Sequence, residues 1–324
     1  MLIEVNNLKK YFPISTGLFA KSTSNVKAVD DVSFSIARGE TLGLVGESGC
    51  GKSTVGRCIL KLIELTGGEI LFDGKDVINL TKKELKSFRK KIQIIFQDPY
   101  SSLNPVITIG GMLKEILKFH KIAEGSQADK RIYELLDIVG LKKYHSKKYP
   151  HEFSGGQRQR IVIAKALSVE PEFIVCDEPV SALDVSIQSQ ILNLLNDLQK
   201  EFNLTYLFIS HDLSVVEHIS NRVCVMYLGK IVEEIESKNI FNASRHPYTK
   251  ALISAVPVPD PKNKSKRIIL SGDIPSPADI PSGCSFHPRC PQAFANCKKI
   301  SPQLAGTPAN KVRCLLYPES YPQS

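Results

Sequence analysis

The order of apolar and polar positions along the chain predicts short buried strands that alternate with amphipathic helices. Residues 40–45 are mostly apolar and fit a buried strand, and residues 55–64 carry apolar side chains at helical spacing. Residues 173–176 and 204–210 form two more apolar runs, and both end at polar residues. Alternation of this kind is typical of an α/β fold built on a parallel sheet.

The pattern changes along the chain and predicts a division into parts. Residues 1–97 and 166–238 alternate short apolar strands with turns or helices, whereas residues 98–165 are mostly helical. The predicted helices of that middle part cover 112–120, 130–139 and 157–167. Beyond residue 238 the chain holds most of its prolines and four of its eight cysteines. We therefore predict a core domain over 1–238, with a helical subdomain inserted at about 98–165, and an extension over 239–324.

A glycine-rich turn joins the strand at residues 40–45 to the helix at 55–64 and predicts a phosphate-binding site. It reads G-E-S-G-C-G-K-S-T, and the pattern G-x-x-x-x-G-K-[ST] is informative where it lies between a strand and a helix. The glycines let backbone N–H groups point at phosphate oxygens, the lysine reaches the β- and γ-phosphates, and the serine hydroxyl ligates Mg²⁺. A plain glycine turn before a helix is the alternative. The candidate nucleotide-binding residues are Gly46, Glu47, Ser48, Gly49, Cys50, Gly51, Lys52, Ser53 and Thr54.

A second segment, F-S-G-G-Q-R-Q-R at residues 153–160, predicts another helix that begins at a phosphate site. Ser154 suits an N-cap, and the two glycines after it permit close approach of the backbone. Because one chain needs one γ-phosphate site, we expect this segment to serve a nucleotide bound elsewhere. The next apolar strand ends at Asp177 and Glu178. Asp177 is suited to hold Mg²⁺ through water, and Glu178 is suited to activate a water molecule as a general base.

Together these motifs resemble those of the ATP-binding cassette family. The chain also has Gln97 at the family's Q-loop position, residues 181–184 at the D-loop and His211 at the switch histidine. The signature of the family is matched by Ser154, Gly155, Gly156 and Gln157, and its Walker B pair by Asp177 and Glu178. Phe153 stands where the family usually has leucine, and both side chains are apolar.

The resemblance implies a fold, two cofactors and a set of catalytic residues. The implied α/β fold is a RecA-like P-loop core with an N-terminal antiparallel β subdomain, an inserted helical subdomain and a small cysteine-containing C-terminal extension. It also implies ATP as the nucleotide, and Mg²⁺ held by Ser53, Gln97 and Asp177. The catalytic residues that it implies are Glu178, His211 and Gln97.

Two neighbouring aromatic residues, Tyr11 and Phe12, stand where the family places the ring that stacks on adenine. Phe12 matches that position slightly better and is therefore our candidate. Packing within the N-terminal sheet is the alternative for either ring.

Composition narrows the class of protein. The net charge of +9 includes lysine-rich clusters at 82–91 and 142–148, which solvated helix faces explain most simply. Attraction to the anionic cytoplasmic leaflet is a sharper alternative. The clusters lack interleaved aromatic residues suited to base stacking, so we expect no nucleic-acid partner. No run of 18 apolar residues occurs, and the first ten residues include an acid and two amides, so we expect neither a membrane span nor a secretory signal.

Residues 239–324 resemble the C-terminal extension of cassette ATPases that serve oligopeptide and dipeptide importers. The resemblance rests on F-N-A-S-R-H-P-Y-T-K-A-L from residue 241, L-S-G-D-I-P-S-P from residue 270 and G-C-S-F-H-P-R-C from residue 283. Cys50 in the phosphate loop makes the chain more similar to the second, F-type ATPase of such systems than to the first.

The eight cysteines fall into two groups. Those scattered through the core are expected to be small buried hydrophobic residues, and they are Cys50, Cys58, Cys176 and Cys224. The others lie in a tail with little apolar content, where a metal often replaces a core, and they are Cys284, Cys290, Cys297 and Cys314. A reducing compartment disfavours disulfides, and zinc favours closer cysteine pairs. The family resemblance implies a [4Fe–4S] cluster with a structural or docking role, and zinc or unligated cysteines are the alternatives.

We therefore predict an ATPase (a translocase subunit) of an ABC importer for di- or oligopeptides. The alternatives are a related importer for nickel, glutathione or oligosaccharide, and a non-transport ABC ATPase. The resemblance implies two membrane permease subunits as partners, with a D-type ATPase or a second copy completing a head-to-tail dimer. It also implies an external solute-binding protein as an indirect partner, and peripheral attachment at the cytoplasmic face of the cell membrane.

Overall fold

A computed structural model describes residues 1–15, 23–256 and 267–322. The strands in chain order are β1 (Ile3–Ser15), β2 (Thr23–Ile36), β3 (Thr41–Val45), β4 (Gly67–Phe72), β5 (Lys75–Asp76), β6 (Ile92–Ile95), β7 (Phe173–Asp177), β8 (Thr205–Ser210), β9 (Arg222–Tyr227), β10 (Lys230–Glu236), β11 (Ala305–Thr307) and β12 (Asn310–Val312). The α-helices are α1 (Lys52–Ile59), α2 (Lys82–Lys91), α3 (Ile109–Phe119), α4 (Gly125–Ile138), α5 (Gly155–Leu167), α6 (Val185–Phe202), α7 (Leu213–Ile219), α8 (Ile240–Ala243) and α9 (Pro247–Ser254). Short 3₁₀ helices cover Lys143–Lys147, Pro150–Glu152, Ser237–Asn239, Ala295–Lys298 and Pro318–Ser320.

The chain divides into two compact units. The first unit consists of Met1–Ala37, Thr41–Ile78 and Ile209–Ser324. The second consists of Arg38–Glu40 and Asn79–Phe208. The phosphate loop and the C-terminal extension thus belong to the first unit, and the Q-loop, signature and Walker B residues belong to the second.

The N-terminal strands of the first unit form an antiparallel sheet in the order β2-β1-β4-β5. The long strand β1 pairs with β2 and β4, and Ile3 lies opposite Ile36 on one side and Phe72 on the other. Buried apolar residues of β1, among them Val5 and Leu8, face the core. The predicted antiparallel β subdomain is confirmed.

A second sheet of the first unit has the order β11-β12-β10-β9-β3. Strand β3 is buried along its whole length and runs parallel to β9, as its continuous apolar run predicts. Gly43 in β3 lets α7 pack closely, because a Cβ atom there would lie 2.2 Å from Val216 Cγ1. Strands β12 and β11 come from the C-terminal extension, and β12 pairs antiparallel with β10. The end of the chain therefore extends the sheet that carries the phosphate loop.

Helix α1 is shorter than its apolar pattern predicts. The pattern extends the helix to residue 64, whereas α1 ends at Ile59. Lys61 has a left-handed backbone with φ 50°, which ends the helix. Leu62 then lies 50% exposed instead of on the buried face of the helix.

In the second unit, strands β6 and β7 run parallel, in the order β8-β7-β6. Between the Q-loop and the signature the chain forms α3 and α4, and α5 follows the signature, so the helical content predicted for 98–165 is confirmed. The basic helix α2 buries a single residue, Phe88, and its lysines form a solvated face. No helix in the part of the chain described above combines the length and apolar character that a bilayer crossing needs.

The buried contact between Gly43 and α7 gives a stability prediction. In Gly43→Ala the new methyl group would overlap Val216, and we expect the free energy of unfolding to fall by about 1–3 kcal/mol. Urea denaturation followed by circular dichroism measures this change. Gly67→Ala is the control, because its Cβ atom would meet Lys9 at an ordinary 3.7 Å, and a loss as large as that of Gly43→Ala would contradict the packing argument.

Candidate nucleotide-binding site

The phosphate loop has the backbone that its glycines predict. Gly46, Gly49 and Gly51 have φ values of 154°, 79° and 108°, which side chains rarely tolerate. Two of these glycines also lie against carbonyl groups. A Cβ atom at Gly46 would lie 2.2 Å from Met226 O, and one at Gly51 would lie 2.1 Å from Ala28 O. Neighbouring strands thus fix the course of the loop.

The side chain of Lys52 binds the backbone of the phosphate loop. Its Nζ atom donates to the carbonyl oxygens of Gly46 at 2.8 Å and Glu47 at 3.0 Å. Helix α1 begins at this lysine without a side-chain cap, so its first N–H groups and its dipole are directed at the loop. Cys50 packs beside Lys52, and burial raises the pKa of its thiol. Cys50 therefore fills space as a neutral residue, as predicted, and Cys58, Cys176 and Cys224 are buried as well.

Two residues of the C-terminal extension contact Glu47. The Tyr248 hydroxyl accepts from the Glu47 N–H at 2.9 Å. The Arg289 guanidinium donates to both oxygens of the Glu47 carboxylate, at 2.8 and 3.1 Å. This two-pronged pair raises the pKa of Arg289, because Glu47 stabilises the charged guanidinium. The extension therefore contacts both the backbone and the side chain of one phosphate-loop residue.

An aromatic cluster positions the two contacting residues. The ring of Phe286 lies 5.2 Å from Tyr227 and 5.4 Å from Tyr248, centroid to centroid. His246 lies 5.5 Å from Phe286, and its Nδ1 atom accepts from the Tyr248 N–H. Burial lowers the pKa of His246 to about 3, so this ring is neutral near pH 7. The buried Glu233 carboxylate accepts from the backbone N–H of His246 and completes the attachment of α9 to β10.

The Walker B and Q-loop residues lie together in the second unit. Asp177 ends strand β7 and is buried. Glu178 follows with φ 49°, a left-handed backbone that is unusual for a residue other than glycine. Its carboxylate accepts from Gln97 Nε2 at 3.1 Å, and Ser181 Oγ donates to its carbonyl oxygen. The structure thus brings the Gln97 amide within hydrogen-bond distance of the Glu178 carboxylate.

The signature segment forms a capped helix start. Ser154 Oγ accepts from the Gln157 N–H and Gln157 Oε1 accepts from the Ser154 N–H, a reciprocal capping box. Gly156 allows α6 to pack closely, since a Cβ atom there would lie 2.5 Å from Ile187 Cγ2, and Gly155 lies against Leu183. Phe153 is buried, so the larger ring is accommodated where the family usually has leucine.

The remaining predicted site residues lie in the first unit. Tyr11 is held by its hydroxyl, which donates to Asp30 at 2.6 Å, whereas the neighbouring ring of Phe12 is exposed with Lys10 Nζ 4.8 Å from its centroid. His211 follows β8 and is exposed, and Asp212 beside it caps α7.

Comparison with known families identifies the chain. Residues 29–181 match the model of the ABC transporter family, and residues 232–297 match that of the oligopeptide/dipeptide transporter C-terminal region. The oligopeptide transport ATP-binding protein AppF of Bacillus subtilis is 54% identical over 320 residues, which cover 98% of this chain and 97% of the relative. The chain belongs to the ABC transporter family. A putative peptide import ATP-binding protein of Brucella ovis is 52% identical over 94% of this chain and 93% of its own length.

Solved ABC structures share the fold. The ATP-binding cassette MJ0796, seen as a dimer in a post-hydrolysis state with ADP and phosphate, matches with a TM-score of 0.63 and 29% identity. That match covers 73% of this chain and 99% of the cassette. CbiO1 of Clostridium perfringens, part of an ABC transporter complex, matches with a TM-score of 0.64 and 27% identity, over 74% and 90% of the two chains. The predicted cassette fold and the assignment as an ABC ATPase are confirmed.

The cysteines of the ABC protein's extension come near one another without forming a metal site. Burial raises the pKa of Cys284 to about 12 and that of Cys314 to about 11, and other thiols of the set add to both shifts. Within residues 1–15, 23–256 and 267–322, however, no three His, Cys, Asp or Glu side chains are arranged to hold a metal ion. The structure therefore gives no support to the predicted [4Fe–4S] cluster, which stays a prediction.

The sequence analysis missed Tyr248 and Arg289 as neighbours of the phosphate loop. They lie 201 and 242 residues from Glu47, and no spacing rule links positions so far apart. Arg289 stands directly before Cys290, in the segment that the cysteine pattern had singled out. The cysteine pattern identified the segment, but only the structure shows that this segment contacts Glu47.

The buried, neutral His246 predicts a loss of stability in mild acid. Its pKa falls from an ordinary 6.5 to about 3 on folding, so the unfolded chain binds the proton more readily between these values. The contribution of neutral His246 to the free energy of unfolding should be complete above about pH 6.5, and it should decrease as the pH falls below that value. Urea denaturation at pH 7.5 and pH 5.5 measures the decrease, which should be smaller in His246→Gln.

His218→Gln is the matched control, because it removes an exposed histidine of the same unit. An acid sensitivity that is unchanged in His246→Gln, or that disappears in His218→Gln instead, would contradict the assignment to His246.

Proposed function

We propose that this chain is the ATP-hydrolysing subunit of an ABC importer for di- or oligopeptides. The observation that carries the proposal is full-length similarity to peptide-transport ATP-binding proteins, including the match of residues 232–297 to the oligopeptide/dipeptide C-terminal region. Nickel, glutathione and oligosaccharide importers are the alternatives from the sequence, and no observation favours them.

The phosphate loop is the proposed site of ATP. Its glycines permit the curled backbone that presents N–H groups to phosphate oxygens, and the α1 dipole adds positive potential. Lys52 would exchange its contacts with the loop carbonyls for contacts with the β- and γ-phosphates. Exposed Phe12, rather than the hydroxyl-bonded Tyr11, is the proposed stacking partner of adenine.

Glu178 is the proposed general base. Its strained backbone and its hydrogen bond from Gln97 support this role, because backbone strain concentrates at functional positions and the bond orients the carboxylate. Ser53, Gln97 and Asp177 would hold Mg²⁺, which neutralises phosphate charge when it is bound. His211, exposed after β8, is the proposed switch residue beside the γ-phosphate.

The signature supports a head-to-tail dimer. Ser154, Gly155, Gly156 and Gln157 form a helix start suited to phosphate, and it would face the nucleotide bound by a second ATPase. That partner is proposed to be a D-type subunit or a second copy of this chain. Two membrane permease subunits would complete the importer and would receive solute from an external binding protein, and this chain would attach to them peripherally at the cytoplasmic face. ATP would favour the closed dimer because it contacts both halves only there.

Glu178→Gln tests the hydrolytic role. The substitution keeps the size of the side chain and removes the base, so we expect ATP binding to persist while turnover falls by roughly a hundredfold. ATPase assays of the assembled complex and nucleotide titration give the two values. Glu201→Gln, at an exposed position of α6, is the control and should retain full activity. Wild-type turnover in Glu178→Gln would show that another group acts as the base.

The [4Fe–4S] cluster is a second, finer proposal, and it rests on the chemistry of the ligands alone. Four soft thiol donors lie near one another in a segment that is poor in other core residues, and such donors suit iron–sulfur ligation. Their arrangement in the structure does not itself form the site. No step of ATP hydrolysis is assigned to a cluster.

Anaerobic purification tests the cluster. We expect brown protein with about four irons and four acid-labile sulfides per chain, and loss of both in Cys297→Ser. Cys58→Ser is the control, because Cys58 is a buried residue of α1 in the core and its replacement should not affect the colour. Stoichiometric zinc, or a metal-free protein with an ordered tail, would contradict the proposal.

A further inference from the structure

The contact between the C-terminal extension and the phosphate loop suggests how this family's extra segment affects the nucleotide site. We propose that Arg289 is a positioning residue that neutralises Glu47 and thereby sets the affinity of the phosphate loop for ATP. This inference rests on the proposed function, because it concerns the same site.

Charge is the first reason. Glu47 lies in a loop that receives a polyanion, and an uncompensated carboxylate there would repel the phosphates. The Arg289 side chain is 9% exposed and that of Glu47 is 24% exposed, so water screens the pair only partly. Arg289 approaches both carboxylate oxygens with two nitrogens, which fixes the orientation of Glu47 as well as its charge. Lys52 does not substitute for Arg289, because its Nζ atom donates to the carbonyl oxygens of Gly46 and Glu47 and contacts Cys50 Sγ instead of the Glu47 carboxylate.

Rigidity is the second reason. Arg289 lies in a tight turn, where its N–H donates to Phe286 O and the N–H of His287 donates to Cys284 O. Phe286 packs in the aromatic cluster with Tyr248, which itself binds the Glu47 N–H. The guanidinium is therefore held at a set position relative to the loop.

The cysteine segment provides that turn. The N–H of Cys284 donates to Cys297 O at 2.8 Å, and Cys290 follows Arg289 directly. Gly283 makes this crossing possible, since its φ is 69° and a Cβ atom there would lie 2.4 Å from Cys297 O. A displacement of the cysteine segment would consequently move Arg289. The Arg289 side chain would transmit that movement to Glu47, because it binds the Glu47 carboxylate directly.

The experiment measures Mg·ATP affinity of the full-length chain with a fluorescent ATP analogue and ATP competition. We expect Arg289→Gln to bind about tenfold more weakly, because it leaves Glu47 charged and unpaired beside the phosphates. Arg289→Lys should fall between, since it keeps the charge and loses the two-pronged geometry. In steady-state assays of the complex, the KM for ATP should rise while kcat at saturating ATP stays near that of the wild type.

Two further variants separate charge neutralisation from loss of structure. Arg245→Gln breaks an arginine–glutamate pair of the same extension, with Glu319, and makes no contact with Glu47, so it should bind ATP as the wild type does. Adding Glu47→Gln to Arg289→Gln removes the unpaired charge and should restore most of the lost affinity. Thermal unfolding of every variant confirms that it is folded at the temperature of the titration.

The outcomes are distinct. Arg289→Gln binding within about twofold of the wild type overturns the proposal, as does an equal loss in Arg245→Gln, since a general weakening of the extension would then be the cause. A double variant as weak as Arg289→Gln overturns it as well, because the carboxylate charge would not be responsible. Absence of ATP binding by the wild type would instead contradict the proposed function.

Discussion

The phosphate loop depends on a backbone course that its own residues do not maintain by themselves. Glycine permits the positive φ values at Gly46, Gly49 and Gly51, but it permits many other conformations as well. Contacts from outside select the functional course: Met226 O and Ala28 O lie against two of the glycines. The strands that supply these carbonyls belong to the two sheets of the first unit, so the geometry of the candidate nucleotide site is a consequence of core packing.

The C-terminal extension belongs to the same packed unit as the loop. Its strand β12 pairs with β10, and Arg313 N–H donates to Val232 O where the two strands meet. The buried Glu233 carboxylate accepts from the N–H groups of Arg245 and His246, and burial raises its pKa. A buried carboxylate requires such partners, because an unsatisfied one would be costly. The extension is thereby attached to the core by backbone pairing, by a buried polar group and by an aromatic cluster.

In the second unit, the Walker B segment is held in place by a different arrangement. Strand β7 is continuous and buried up to Asp177, where it ends, and the next residue, Glu178, takes up a left-handed backbone. The turn that follows is braced by Gln188, whose amide donates to the carbonyls of Val180 and Leu183. Packing around β7 holds the strained Glu178 in place, and Gln97 donates a hydrogen bond to the Glu178 carboxylate.

The sequence by itself determined the elements and motifs whose signals are local. The buried strands β3, β7 and β8, the N-cap at Ser154 and the glycine-rich loop follow from residue order, because periodicity, capping and backbone freedom act over a few residues. Only the tertiary structure decided where helix α1 ends, which depends on the left-handed Lys61, and which residues meet Glu47. Tyr248 and Arg289 are brought to the loop by the pairing of β12 with β10 and by the packing of Phe286. Contacts between residues so distant along the chain arise from the shared core, and no local pattern encodes them.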